Sequence, residues 1–364
     1  MHYARRDHNG PLRHPPVLVG YRGRGRLLLG ALVVAVLGWL PAGVGAQDVE
    51  ELFRKVNPSV VVIKAKGRDV STTRGLVKFN EIGSGVLISS DGKVMTAAHV
   101  VHAMDEIIVE FLGAEAVPAR VVSSEPAADL SMLQLARVPA GAQVAQLGDS
   151  DRVRVGQQVL VIGAPYGLSH SFSAGWISAK WLPNTAYRAM PLAEFFQTTA
   201  TINTGNSGGP MFNMAGEVVG VVSHIISKGG GSEGLGFVVT MKSARHFLME
   251  RRWVWVGMEG TVVTGELAEI FNVPGGSGFL VKIVPKGSPA WDMGIQGGDR
   301  TATITGQDIV VRGDIVLTMA GIAIKSEEDL PKIREKLGTM PAGQSFKASV
   351  LRAGRVIELT GKVP

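Results

Sequence analysis

From Ser59 to Thr240 the chain is a succession of short β-forming runs broken by glycine. A first group comprises Ser59–Lys64, Gly85–Ser89, Lys93–Thr96, Glu106–Phe111, Val117–Val122, Met132–Leu135 and Gln158–Ile162. A second comprises Phe172–Ala179, Phe195–Thr198, Pro210–Phe212, Val218–Ser223 and Gly236–Thr240. Short strands with regular turn signals specify a sandwich or barrel rather than βαβ units. Composition agrees, since 47 of 364 residues are glycine, close to twice the usual share of about 7%. There is no cysteine, so stability rests on burial rather than on disulfides.

Chemistry enters at Thr201–Pro210, where Gly205-Asn206-Ser207-Gly208-Gly209 presents one serine on a polar, glycine-flanked turn. Gly205 lets the backbone turn so that its N–H and that of Ser207 converge on one point. Two such donors beside a hydroxyl form an oxyanion hole for acyl transfer. By itself the stretch also reads as a surface loop between strands. Upstream, Thr96-Ala97-Ala98-His99-Val100-Val101 offers a histidine that could act as base. Ala128-Asp129-Leu130 offers a carboxylate that could fix its tautomer. The order His, Asp, Ser is that of two-barrel chymotrypsin-like enzymes. It is not that of α/β-hydrolases, although the glycine spacing around Ser207 fits their elbow motif. The two strand groups place His99 and Asp129 in the first and Ser207 in the second, so the three would meet at a seam between barrels.

These motifs, with Gly83-Ser84-Gly85-Val86-Leu87-Ile88 and Ile162-Gly163-Ala164-Pro165-Tyr166-Gly167-Leu168, resemble the HtrA/Deg family of ATP-independent serine proteases. The resemblance runs from about Val49 to Pro364. It implies a mainly β fold: two six-stranded-type barrels of the trypsin-like kind, followed by a PDZ domain. It implies a His99, Asp129 and Ser207 triad, with the amides of Gly205 and Ser207 as oxyanion hole. It also implies assembly into a homotrimer, with the apolar face of the helix Val49–Val56 as one contributor or else packed on its own barrel. The chain departs from the family at Thr199, where Asp is usual.

The N-terminus decides how the charge is read. Residues 1–46 carry six arginines against one acid, then an uncharged run from Leu27 to Ala46. Without that segment 31 bases face 30 acids, a net charge near +1, and a nucleic-acid partner is not expected. A basic region, an apolar region and the small-residue end Val44-Gly45-Ala46 make a secretory signal. A membrane anchor is the rival, since about twenty apolar residues can span a bilayer. Either reading sends residues 47–364 out of the cytoplasm, to a periplasmic or otherwise exported location.

The expected domains are therefore 1–46 as signal or anchor, 47–252 as protease and 253–364 as PDZ. Gly67–Glu81 is polar and without clear period, so it reads as a long loop, regulatory or merely mobile. Leu235, Gly236 and Phe237 are uncharged and would line a substrate pocket for small or medium apolar side chains. Trp255-Val256-Gly257-Met258 resembles a PDZ carboxylate-binding loop, which would capture peptide C-termini. Arg300–Gly313 looks like an insertion of unassigned role. The histidines lack metal-ligand spacing and no phosphate-binding glycine loop is present, so neither metal nor cofactor is expected. Two functions follow. One is an endopeptidase degrading unfolded or mislocalised exported proteins. The alternative is a PDZ-bearing chaperone or scaffold whose protease fold is idle.

Overall fold

The computed structural model describes residues 49–364 apart from 114, 187–189, 228 and 252. The expected signal or anchor at 1–46 lies outside the described residues. Among the described residues no helix is long and apolar enough to cross a membrane.

Six strands close the first barrel: β1 (Val60–Ser71), β2 (Gly75–Leu87), β3 (Lys93–Thr96), β4 (Met104–Glu110), β5 (Ala116–Glu125) and β6 (Leu130–Leu135). They run in the order β1-β2-β3-β6-β5-β4. The next strands are β7 (Gln146–Leu147), β8 (Gln158–Gly163), β9 (Ser171–Trp181), β10 (Phe195–Thr198), β11 (Pro210–Asn213), β12 (Glu217–Ile225) and β13 (Gly236–Thr240). Their order β11-β8-β9-β10-β13-β12 is closed by pairing of β11 with β12, giving a second six-stranded barrel, and β7 adds to β12 in parallel. Closure leaves few open edges and lets apolar alternate residues fill both interiors. Where the barrels meet, Leu130 and Met132 of the first share a core with Phe195 and Phe212 of the second.

The polar stretch Gly67–Glu81 is not a loop. It is the far half of a long hairpin, in which β1 and β2 stay in register from Val60↔Val86 to Ser71↔Gly75. Residues 75–82 of β2 alternate between half-buried and exposed. Phe79 packs on the first-barrel core and Val70 is buried, but Lys78 and Asn80 between and beyond them are exposed, so the stretch carries no sustained period-2 apolar signal.

A third sheet follows, built from β14 (Glu259–Thr264), β15 (Ser277–Ile283), β18 (Ile315–Met319), β20 (Ser345–Arg352) and β21 (Arg355–Lys362), with β19 (Ile322–Ala323) paired to β18. The helix Asp329–Thr339 buries Ile333 and Leu337 against it. The Arg300–Gly313 segment forms a two-stranded hairpin, β16 (Arg300–Ile304) with β17 (Gln307–Val311). Ile309 anchors it in a small core with Val263, Leu280 and Ile315.

The join between the second barrel and this sheet is short and buried. Trp253 belongs to the core at the barrel seam and Trp255 to that of the first barrel, while Val254 and Val256 belong to the C-terminal core. Alternate residues of one extended segment thus enter different hydrophobic clusters. Polar contacts flank it. Arg334 Nη1 meets the buried Glu125 Oε2 at 2.7 Å. Arg68 holds Asp105 with two bonds of 2.6 and 2.9 Å and donates to the Val284 carbonyl at 3.0 Å. Lys282 pairs with Asp69 at 3.1 Å.

Candidate active site

His99 sits in a one-turn helix, Ala98–Val101, immediately after β3. Asp129 ends the single turn Pro126–Ala128 in a left-handed conformation, φ 54°, ψ 42°, which few non-glycine residues adopt. Several bonds hold it there. Its N–H donates to Pro126 O at 3.0 Å, and the Glu125 carboxylate accepts from Ala127 N at 3.1 Å. Asp129 is 1% exposed, and a buried carboxylate must be fully hydrogen-bonded. It accepts from the His99 amide at 3.1 Å, while His99 Nδ1 lies 2.9 and 3.0 Å from its two oxygens. The ring therefore carries its proton on Nδ1 and turns a basic Nε2 to the cleft.

Ser207 comes from the turn before β11. Its carbonyl accepts from Ser84 N at 2.8 Å. Ser84 Oγ donates to the Gly205 carbonyl at 2.7 Å and accepts from Ala164 N at 2.9 Å. This buried serine ties the Ser207 turn to both barrels. Gly205 has φ +102°, and a Cβ there would lie 2.1 Å from the Ala164 carbonyl oxygen, so only glycine fits. Among the described residues, the amides of Gly205 and Ser207 find no acceptor.

Two features were not anticipated. Ser223, in a bulge of β12, donates to Asp129 Oδ2 at 2.5 Å and so supplies the carboxylate's remaining partner. The Ser207 hydroxyl, in turn, donates to the Ser223 carbonyl at 3.1 Å rather than to His99. The only sequence mark of Ser223 is a hydroxyl closing the apolar run Val218–Val222. Its neighbour His224 stacks on Phe237 with ring centroids 5.0 Å apart.

Electrostatics favour a charged His99. Burial pulls its pKa down, but the hydrogen bond to Asp129, the charge of Asp129 and that of Glu81 outweigh it, leaving the pKa raised. Burial pushes His224 down to about 4, against the pull of Asp129. His102 is likewise pushed down to about 4, by burial and by Arg334, despite a hydrogen bond to the Met258 backbone.

The remaining expected residues divide. Leu235 is 38% exposed, whereas Phe237 is 4% exposed with its ring under His224. Gly236 closes against Ile202. At the second expected site, Trp255 is buried edge-on to His102. Val256 O accepts from Ala290 N at 2.8 Å, and Gly257 O accepts from Ser288 Oγ at 3.1 Å. The amides of Val256 and Gly257 meet no acceptor among the described residues. Met258 packs half-buried on the C-terminal core. A cavity of about 660 Å³ is lined by His99 and Asp129 together with Val256, Gly257, Met258, Phe279 and Ile333. Thr199, the departure from the family pattern, accepts from Trp176 N and pins the chain to β9. Among the described residues no cluster of His, Asp and Glu is arranged to hold a metal.

Comparisons with known proteins agree with this geometry. A profile of the trypsin-like peptidase domain matches residues 83–221. A probable periplasmic serine endoprotease DegP-like from Ectopseudomonas mendocina (strain ymp) is 36% identical over 285 residues, covering 74% of this chain and 59% of that protein. A protein of the same description from Pseudomonas putida (strain W619) is 37% identical over 286 residues, covering 75% of this chain and 54% of its own. The chain thus spans only about half to three-fifths of the length of these curated relatives. Among solved structures, the HtrA-type protease AlgWS227A with decapeptide superposes with a TM-score of 0.52 at 27% identity, covering 86% of this chain and 96% of that one. The catalytic-type geometry at the seam of two closed barrels, the matched peptidase domain and these relatives lead to one assignment: the chain belongs to the HtrA/Deg family of trypsin-like serine proteases.

Proposed function

We propose that the chain is an ATP-independent serine endopeptidase acting on unfolded or mislocalised exported proteins. The observation that carries this reading is the arrangement of His99, Asp129 and Ser223 beside Ser207 and two amides without acceptors. Rotation about its Cα–Cβ bond takes the Ser207 hydroxyl from the Ser223 carbonyl towards His99. His99 Nε2 then removes the proton as Oγ attacks the peptide carbonyl, and Asp129 stabilises the imidazolium. The oxyanion forms against the Gly205 and Ser207 amides. As the C–N bond breaks, His99 passes its proton to the leaving amine, and water releases the acyl group by the same route. Ser207→Ala should lower hydrolysis of unfolded casein by several orders of magnitude, because the triad acts as a unit. Retention of most activity in that variant would remove the assignment.

The C-terminal sheet with its helix Asp329–Thr339 is proposed as a PDZ domain spanning 253–364, after a protease domain spanning 47–252. Its carboxylate site would be the amides at Val256, Gly257 and Met258, with Met258 against the terminal side chain. Free but not amidated C-termini should bind, as measured by titration of peptides with apolar ends. Export to the periplasm is supported by relatives described as periplasmic serine endoproteases. A homotrimer is proposed on the family resemblance, with the exposed Phe172, whose ring lies 5.3 Å from that of Phe53, as a candidate contact. Leu52 and Val56, on the helix of Phe53, are buried in the core at the barrel seam.

A further inference from the structure

Glu81 lies on β2, two residues before Gly83 and three before Ser84. The bond from Ser84 N to Ser207 O, 2.8 Å, lays this end of β2 beside the chain that carries the nucleophile. Glu81 lines the same cavity as His99 and Asp129 and acts electrostatically on the His99 ring. The other charged side chains around that cavity are engaged. Arg68 is held by Asp105, Lys282 by Asp69 and Glu259, and Arg334 by Glu125, while Glu327 accepts from Val262 N. Among the described residues, Glu81 makes neither an ion pair nor a hydrogen bond. A half-buried carboxylate lining that cavity, with no cation paired to it among the described residues, is an attractor for positive charge on whatever occupies the space.

The chemistry fixes which part of a substrate passes it. The amine released on cleavage receives its proton from His99, so the segment C-terminal to the cleaved bond leaves over the first barrel, past His99. The acyl half stays on Ser207, beside Ser223 and the end of β12 in the second barrel. Glu81 belongs to the first barrel and to the His99 side. We infer that Glu81 is a specificity-determining residue that favours lysine or arginine in the first positions on the leaving-amine side of the cleaved bond. This rests on the proteolytic reading above and adds a substrate class to it.

The test uses the full chain and internally quenched peptides that differ only at the two positions after the cleaved bond, carrying Lys, Gln or Glu. Cleavage sites are mapped by mass spectrometry. Wild type should cleave in the order Lys, Gln, Glu, with about a fivefold span in kcat/KM, as expected for one partly exposed charge pair of roughly 1 kcal/mol. Glu81→Gln, an isosteric change, should bring the ratio close to one, and Glu81→Lys should invert it. Added salt should compress the wild-type ratio, since an exposed pair is screened within about 10 Å at 0.1 M. A wild-type enzyme that cleaves all three alike overturns the inference and leaves proteolysis standing, as does a Glu81→Gln enzyme that keeps the wild-type ratio. If no peptide is cut and Ser207 fails to react with a fluorophosphonate, the proteolytic reading falls and this one with it.

Discussion

At the scale of single residues, named partners hold the His99 ring, the Asp129 carboxylate and the Ser207 hydroxyl, while the Gly205 and Ser207 amides meet no acceptor among the described residues. In the proposed mechanism His99 is the residue whose protonation gates the chemistry. As general base it must be neutral. Its pKa is raised because Asp129 and Glu81 outweigh burial, so the acid limb of kcat/KM should inflect above the ordinary histidine value of about 6.5. Activity is lost as pH falls through that raised value and regained as pH rises. A pH–rate profile measures this, and an inflection below 6.5 would contradict the charge arrangement around the ring. His99, Asp129 and Ser207 were legible because each is a polar residue set in a short run of apolar, small or glycine residues, such as the buried Ala97, Val100 and Val101 beside His99 and Ala128 and Leu130 beside Asp129. Ser223 was not, for a physical reason. It reaches Asp129 only because β12 bulges between Val222 and His224, and a bulge depends on the partner strand. Glu81 was hidden too, since it sits in a polar arm that gives no sign of which side faces the cleft.

At the scale of elements, one contact stands out between Arg334 of the helix Asp329–Thr339 and Glu125 at the end of β5. The Glu125 side chain is 1% and that of Arg334 21% exposed. Breaking a buried pair leaves an uncompensated charge and costs about 3 kcal/mol or more. Arg334→Ala should therefore lower the urea midpoint, and the double change Glu125→Gln with Arg334→Met should recover most of the loss. Equal destabilisation of the single and double variants would show that packing over Trp253, not charge, holds this helix. Strand positions inside the barrels were readable from apolar runs. The β1–β2 arm was not, because Phe79 reaches the first-barrel core from a stretch otherwise rich in polar residues. The Arg300–Gly313 segment could be marked as an insertion, but its hairpin register comes from Ile309 packing under β15. That is a tertiary contact with no local signature.

At the scale of the whole molecule, glycine-spaced strands specified a sandwich or barrel, and the HtrA/Deg resemblance implied two barrels followed by a further C-terminal domain; both barrels close. Assembly is a separate matter. Tyr166, Leu168 and Phe172, close together in sequence, are large apolar side chains left exposed, and exposed apolar surface is where copies of a chain commonly meet. Light scattering of residues 47–364 should give a trimer mass, and a concentration-independent monomer would exclude it. The join at residues 253–256 has another outcome. Trp253 and Trp255 insert into protease-side cores while Val254 and Val256 insert into the C-terminal one. A cut after Arg251 would remove two indoles from the barrels and open voids costing about 3–5 kcal/mol each. Calorimetry of the intact chain should accordingly show one heat-absorption peak shared by all three sheets. Two resolved peaks would mean that the halves melt apart. A bead-on-a-string protein can gain or shed a module by moving a gene boundary; stitched through alternate residues of one segment, this chain offers recombination no seam there.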